Sequence, residues 1–221
     1  MERAFLTGCD VNTEWMLEWF LKNYRKHNDT PIVFADFGVS EGMRQYAMQM
    51  FDDYFKIDRG KLRGWFLKPK AMLEVRAVEA CWLDTDIEIL GDMSGIFRFV
   101  ENNKLTMVED KPWSKRMGQG PNSQIRWHNS GVVAFRNKPD ILGSWERTCR
   151  KNPSRGDQET LHEMLSFSPL MKLQHIADAP NIYNWLRLQL ENDGQDSSKK
   201  IAMHWTGERG KQTIRKKIYN G

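Results

Sequence analysis

Two aspartates spaced by one residue, Asp84 and Asp86, follow the apolar run Ala80-Cys81-Trp82-Leu83 and precede a second, partly β-branched run, Ile87-Glu88-Ile89-Leu90. The first run reads as a buried strand that carries both carboxylates to its C-terminal end, where open α/β sheets bind their ligands. Two carboxylates there make a seat for a hard divalent cation that also holds a phosphate. The same spacing fits an Asp-rich turn between two strands, so the rest of the chain has to decide.

Delivering such a pair requires a sheet. Apolar periodicity predicts a strand over 3–7 that ends at Gly8-Cys9-Asp10. A helix over 13–24 follows, capped by Asn12 or Thr13 and striped by Met16, Leu17, Phe20, Leu21 and Tyr24. A strand over 31–35 ends at Asp36-Phe37-Gly38, then a helix over 40–50 leads to a short strand over 54–57. A helix over 68–78, with Pro69 in its first turn, precedes the Asp84 strand. This alternation predicts an α/β fold with a mostly parallel central sheet and flanking crossover helices. Beyond Asp86 the pattern predicts strands over 105–108 and 131–135, the latter preceded by Trp127-His128-Asn129-Ser130. Helices are expected over 141–150 and 157–165, and strands over 173–176 and 200–203. The stretch 111–123, with Gly118, Gly120, Pro121 and several basic residues, reads as a mobile loop that could order on substrates, and the polar run 191–200 as another loop. The basic stretch 207–221 reads as loop and tail. No internal repeat, heptad pattern or domain linker stands out.

The 221 residues suit one domain, or one domain with a small appendage, and 40% hydrophobic content supports a sizeable core. The net charge of +4 is modest and spread along the chain, apart from a denser C-terminal run. That argues against a dedicated nucleic-acid binder and is compatible with an anionic small substrate. Cys9, Cys81 and Cys149 are far apart, odd in number and free of any C-x-x-C, which reads as free thiols in a reducing compartment. No segment approaches 18 consecutive apolar residues, and Met1-Glu2-Arg3 leads into no signal-peptide core. The expectation is a soluble cytoplasmic protein, or one domain cut from a longer chain, of undetermined oligomeric state.

Five stretches then line up in order: the strand ending at Gly8-Cys9-Asp10; Lys68-Pro69 with Trp82-Leu83-Asp84-Thr85-Asp86; Asn129-Ser130-Gly131-Val132; Gly156-Asp157-Gln158; and His204-Trp205-Thr206-Gly207 with Lys211. In this the chain resembles the nucleotide-sugar glycosyltransferases of GT-A fold, most closely the family-eight-like group that includes glycogenin and the bacterial lipooligosaccharide galactosyltransferases. The resemblance implies a single GT-A domain over 1–221, with a nucleotide-binding half at 1–90. The half at 91–221 would serve sugar and acceptor and carry a C-terminal metal-binding segment.

The resemblance also implies roles. Asp84, Asp86 and His204 would hold Mn2+ or Mg2+ on the diphosphate of a UDP-sugar donor, and imidazole beside two carboxylates suits manganese somewhat better. The ion would neutralise charge on the leaving nucleoside diphosphate. Gly8, Cys9 and Asp10 would meet base and ribose, where glycine permits close backbone approach. Asp36 is a weaker candidate of the same kind. Lys68, Thr85, Gly207 and Lys211 would face the phosphates. Lys211 lies one residue further from His204 than the family's lysine does, which leaves Arg209 as a substitute. Asn129, Asp157 and Gln158 would contact the donor sugar and serve catalysis. Several have an ordinary alternative: Lys68 as a solvated helix-start lysine, Asp157 as a helix N-cap, Gly8 to Asp10 as an ordinary turn plus helix cap, His204 as a core or surface histidine. Trp65, Trp113, Trp127, Trp185 and Trp205 could stack on sugars or simply pack the core.

The implied reaction moves a hexose to a glycan or glycoprotein acceptor with retention of anomeric configuration, and no general base is assigned. Small domains of this type resemble those encoded by bacteria and by large DNA viruses that glycosylate their own surface components, for which the compartment would be the host cytoplasm. Two other readings use the same aspartates. A nucleotidyltransferase or metal-dependent phosphohydrolase is one, although a nucleotidyltransferase usually shows a Gly-rich phosphate loop that Gly8-Cys9-Asp10 does not provide. A non-catalytic carbohydrate-binding domain is the other, and the joint presence of Asp84, Asp86 and His204 argues against it.

Overall fold

The computed structural model of the protein describes residues 1–58, 60–110, 127–152, 154–166, 169–188 and 198–220. The stretch 111–123, with Trp113, and most of the polar run 191–200 lie outside the described residues.

The expected α/β architecture is present. Seven strands form one sheet in the order β3-β2-β1-β4-β7-β6-β8: β1 (Arg3–Cys9), β2 (Ile32–Asp36), β3 (Asp53–Lys56), β4 (Glu79–Leu83), β6 (Leu105–Glu109), β7 (His128–Arg136) and β8 (Ile176–Ala179). β1 runs parallel to β2 and β4, β2 to β3, and β6 to β8, whereas β7 is antiparallel to both β4 and β6. Every residue of β2 and of β4 is buried, as strands covered on both faces require. Alternation sorts their side chains: Ala4, Leu6, Ala80 and Trp82 pack with Met72 and Trp145 on one face, while Phe5, Cys81 and Leu83 pack with Phe20 and Tyr24 on the other.

The helices are α1 (Leu17–His27), α2 (Glu41–Met50), α3 (Lys68–Glu74), α4 (Asp140–Lys151), α5 (Asp157–Met164), α6 (Pro169–His175) and α7 (Gly207–Asn220). A single 3-10 turn, Glu14–Met16, leads into α1. No side chain of Asn12 or Thr13 caps it. Instead the Asp10 carboxylate accepts from the Asn12 backbone N–H at 3.0 Å. α2 starts at its Ser40 cap, whose hydroxyl accepts from Met43 N–H.

Three expectations are corrected. α3 stops at Glu74 because Val75 is extended (φ −57°, ψ 136°), turning the chain toward β4. The strand expected over 173–176 is the end of α6. Leu170 and Leu173 face solvent there, and pairing with β6 begins only at Ile176. The basic stretch 207–221 is helical over Gly207–Asn220 rather than a tail. Gly210 and Ile214, one turn apart, are its buried face, and Lys217 reaches Glu88 at 2.9 Å. A Cβ at Gly210 would collide with the Trp205 backbone, so glycine permits this close crossing.

A second, three-stranded sheet orders β5 (Ile87–Ile89), β10 (Ala202–His204) and β9 (Trp185–Leu186), with β10 antiparallel to β5 and parallel to β9. The three cysteines are buried and unbridged. Among the described residues no helix is long and apolar enough to cross a membrane.

Candidate functional site

The site forms where the two sheets meet at the carboxyl ends of β1 and β4. Because β7 is antiparallel to β4, its beginning lies at the same edge as the end of β4, and the Asp84 N–H donates to Gly131 O at 2.9 Å. β5 leaves immediately after Asp86 and pairs with β10 in the register His204↔Ile87, while Trp205 N–H donates to Asp86 O at 3.0 Å. Backbone pairing thereby sets a residue from near the C-terminus beside the two aspartates. His204 Nε2 lies 3.1 Å from Asp86 Oδ1 and 3.9 Å from Asp84 Oδ2. One ligand atom from each of the three residues falls within 4.8 Å of the others, a donor set of two carboxylate oxygens and one imidazole nitrogen.

The electrostatics are strongly coupled. Burial favours neutral Asp84, outweighing the pull of Lys68, so its carboxyl sits above the usual range. Burial acts the same way on Asp86, yet the adjacent His204 together with Lys211 and Lys68 outweighs it and the carboxyl is lowered. Burial would lower His204, but the Asp86 and Asp84 carboxylates hold its imidazole above its ordinary value.

Lys68 is 3% exposed and is no solvated helix-start lysine. Its ammonium lies 3.0 Å from Asp84 Oδ1 and 2.9 Å from Asp157 Oδ2, and donates to Ser130 O at 3.0 Å. Burial disfavours its charge, but Asp157 and Asp84 outweigh that and keep it firmly protonated. Trp82 Nε1–H donates to Asp84 Oδ1 at 2.6 Å, orienting the carboxylate from the strand itself. Asp157 stands in the first turn of α5, but its side chain is spent on Lys68. The N-cap is Gly156, with no side-chain bond, so the capping role expected for Asp157 is not found.

Two clefts open from the aspartate pair. One, of about 600 Å³, is lined by Gly8, Cys9, Asp10, Lys68, Thr85 and Lys211, with Asp84, Asp86 and Asp157 at its inner end. Trp65, 44% exposed, lines its outer wall with the Arg63 guanidinium 5.3 Å from its ring centre. The other, of about 480 Å³, is lined by Asp110, Asn129, Asp157, Gln158, Arg187, His204 and Gly207, again reaching Asp84 and Asp86.

Several sequence candidates fall elsewhere. Asp36 is fully buried and lines neither cleft. It accepts from the Gly38 and Val39 N–H groups, from Tyr54 and from Arg44. Arg209 is exposed and lines neither cleft, whereas Lys211 does line the first. Trp127 stacks on His162 at 3.5 Å, Trp185 is core, and Trp205 donates to Glu88, so of these candidates Trp65 lines the first cleft, where Trp82 of β4 also lies.

Sequence reasoning missed Arg187 in the second cleft's wall, and also two residues, Asp110 and Asn184, that hydrogen bonds join to the site. Asp110 follows β6 as Asp84 follows β4, a signal that was present. Asn184, fully buried, carried no signal at all. Both belong to one polar chain. Gln158 Nε2–H donates to Asp110 Oδ2 at 2.8 Å, Asn129 Nδ2–H to Gln158 Oε1 at 3.1 Å, and Asn184 Nδ2–H to Asn129 Oδ1 at 2.9 Å. Asn184 Oδ1 in turn meets His204 Nδ1 at 3.0 Å. Burial raises the Asp110 carboxyl, against hydrogen bonds from Gln158 and Asn129.

No protein-family model and no curated protein matches the sequence. Solved structures do match. The glycosyltransferase GlyE of Streptococcus pneumoniae TIGR4 superposes with a TM-score of 0.65 at 18% identity, over 94% of this chain and 55% of that one, so the chain spans little more than half of GlyE's length. The galactosyltransferase LgtC, solved with donor and acceptor sugar analogs, superposes with a TM-score of 0.66 at 11% identity, over 98% of this chain and 94% of that one. Mouse xyloside xylosyltransferase 1 gives 0.55 at 11% identity, over 92% of this chain and 97% of that one. At such identities the likeness is one of fold, and the fold is that of the GT-A glycosyltransferases.

Proposed function

We propose, with the GT-A fold as premise, that the protein transfers a hexose from a nucleoside diphosphate sugar, UDP-linked, to a glycan or glycoprotein acceptor with retention of configuration. The observation that carries this is the position of Asp84 and Asp86 in the walls of both clefts, with His204 against them. A donor has a nucleotide half and a sugar half joined by a diphosphate, and two clefts meeting at a metal-type donor set match that shape. Asp84, Asp86 and His204 would hold Mn2+ or Mg2+. When bound, the ion supplies positive charge for the departing diphosphate.

The chain's own residues take the remaining tasks. Gly8, Cys9 and Asp10 present backbone and carboxylate to base and ribose, where a Cβ at Gly8 would already crowd Ala35 O. Lys68 and Lys211 set positive charge toward the phosphates, with Thr85 in the first cleft and Gly207 in the second beside them. Asp157, Gln158 and Asn129 face the sugar, as does Asp110, whose carboxylate is held by Gln158. In this reading residues 1–90 serve the nucleotide and 91–221 serve sugar, acceptor and the C-terminal metal ligand.

A screen of nucleotide sugars for hydrolysis without acceptor, with and without manganese, tests the reading. Metal-dependent release from one UDP-sugar, together with manganese-dependent thermal stabilisation by UDP, is the expected result. Indifference to the nucleoside would mark a phosphohydrolase, and absence of any metal dependence a non-catalytic domain.

A further inference from the structure

His204 is 4% exposed, and its two ring nitrogens face opposite surroundings. Nε2 faces Asp86 and Asp84, and Nδ1 faces Asn184 Oδ1 at 3.0 Å. A neutral imidazole carries one proton, and the acceptor on each side decides which nitrogen holds it. Left to the carboxylates, the proton would sit on Nε2, because a carboxylate outbids an amide oxygen as acceptor. That tautomer carries its lone pair on Nδ1, facing away from the metal position.

The polar chain opposes this, and its direction is not free. An amide can usually be turned either way, but two backbone N–H groups can only donate. Gly131 N–H donates to Asn129 at 2.9 Å, so that atom is Oδ1. Ser130 N–H donates to Gln158 at 3.1 Å, so that atom is Oε1. Asn129 Oδ1 also faces Asn184 at 2.9 Å, and two oxygens cannot share a hydrogen bond. Asn184 must therefore present its NH2 to Asn129 and its oxygen to His204. The ring fits there because residue 131 is glycine, where any Cβ would collide with the imidazole.

We infer that Asn184 is a positioning residue that holds the proton of neutral His204 on Nδ1 and so leaves the Nε2 lone pair aimed at the metal position between Asp84 and Asp86. The donating backbone of β7 is read through two side-chain amides into the tautomer of the C-terminal ligand. The inference rests on the metal reading above for its purpose, but the Asn184 oxygen faces Nδ1 at 3.0 Å without any metal.

The test uses the full chain labelled with 15N-histidine and freed of metal. Long-range proton–nitrogen spectra are recorded above the His204 transition and assigned with His204→Ala. The wild type should show the Nδ1–H form. Asn184→Leu should move the proton to Nε2 and lower affinity for manganese alone about ten- to a hundredfold, read by the spin resonance of the free ion. Asn184→Asp, whose carboxylate still accepts from Nδ1–H, should keep the tautomer and most of the affinity even with a lowered melting temperature. A merely structural asparagine would lower the melting temperature of both variants alike and leave the tautomer unmoved. An Nε2–H ring in the wild type would overturn the inference, as would Nδ1–H with unchanged manganese affinity in Asn184→Leu. If Asn184→Leu does not fold, the wild-type spectrum and Asn184→Asp decide. Failure of the wild type to bind manganese would instead overturn the proposed function, leaving the metal-free spectra to judge Asn184 separately.

Discussion

The two clefts share Asp84, Asp86 and Asp157 but are built in opposite ways. The first is lined by short runs of consecutive residues, Gly8-Cys9-Asp10 and Lys61-Leu62-Arg63-Gly64-Trp65, with Lys68 close behind and Lys211 as the distant contributor. Its form follows from strand order, since parallel β1 and β4 must bring their carboxyl ends to one edge. The second is lined by short runs that lie far apart in the chain, Asn129-Ser130-Gly131, Asp157-Gln158-Glu159 and Leu186-Arg187-Leu188, with Asp110 and His204, and side-chain hydrogen bonds tie Asp110, Gln158, Asn129 and His204 together through Asn184. In the polar chain of the second cleft each member's geometry depends on its neighbours, so a change at one is felt by the rest.

The hardest way to break that contrast is to strike what the clefts share. Asp86→Ala or His204→Ala should cut metal-dependent donor hydrolysis about a thousandfold and weaken UDP binding in manganese as well, read by rates beside titration calorimetry. Retained turnover in either would show that the donor set is not where the chemistry happens.

Lys68→Met is the next largest. It leaves Asp84 and Asp157 facing each other without a cation, and should cost about 3 kcal/mol of stability in metal-free denaturant melts. Manganese should restore part of the loss, because a ligand that binds only the native state stabilises it. A melt unchanged by this variant would contradict the buried pairing.

Gln158→Ala and Asp157→Asn sharpen the comparison, since the proposed function sets both against the sugar. Each should lower kcat about ten- to a hundredfold with UDP affinity nearly intact, as expected for contacts made mainly in the transition state. Asp157 also pairs with Lys68, so its melt must accompany its kinetics. Near-normal turnover in both would misplace the sugar subsite while leaving the fold untouched.

pH separates the two states of the shared group. His204 is raised by Asp86 and Asp84 against burial, so manganese must displace its proton at a pH where an ordinary histidine is already neutral. Manganese affinity should therefore fall, by up to about tenfold per pH unit, as pH drops through the raised His204 value. The metal-free protein should do the reverse. The charged His204–Asp86 pair is fully present below the unfolded histidine value, and its stabilisation is lost as pH rises through the folded one. Calorimetry and melts across neutral pH would show the two slopes, and parallel slopes would refute the pairing. The smallest effect belongs to the outer wall of the first cleft. Trp65→Ala, at a half-exposed ring, should weaken UDP binding only about three- to fivefold, with kcat unchanged.

How much of this was legible varies along the chain. The β1 to β4 half was readable from its alternation of apolar runs and helical stripes, because each crossover element carries its own local period. α7 was not, although Gly210, Ile214 and Ile218 stand one turn apart. The density of Lys and Arg there hides a narrow buried face, and only the structure shows Gly210 against Trp205, Lys217 on Glu88 and Arg215 over the Trp15 ring. α6 was misread as strand because a short apolar run near Leu173 has no period of its own, and solvent rather than a sheet receives it.

The sequence alone determined the pieces that depend on neighbours in the chain: the strand that ends in Asp84 and Asp86, the helix opened by Lys68 and Pro69, and the glycine at the end of β1. Local sterics and burial are enough to place those. Only the tertiary structure decided that Lys68 would be buried between two carboxylates, that Asp110 would join the second cleft, and that Asn184 would stand behind His204. Those outcomes depend on β7 entering antiparallel beside β4 and on β10 pairing with β5. Long-range pairing brings together groups that no spacing along the chain relates, and the hydrogen bonds they must then satisfy set their orientation.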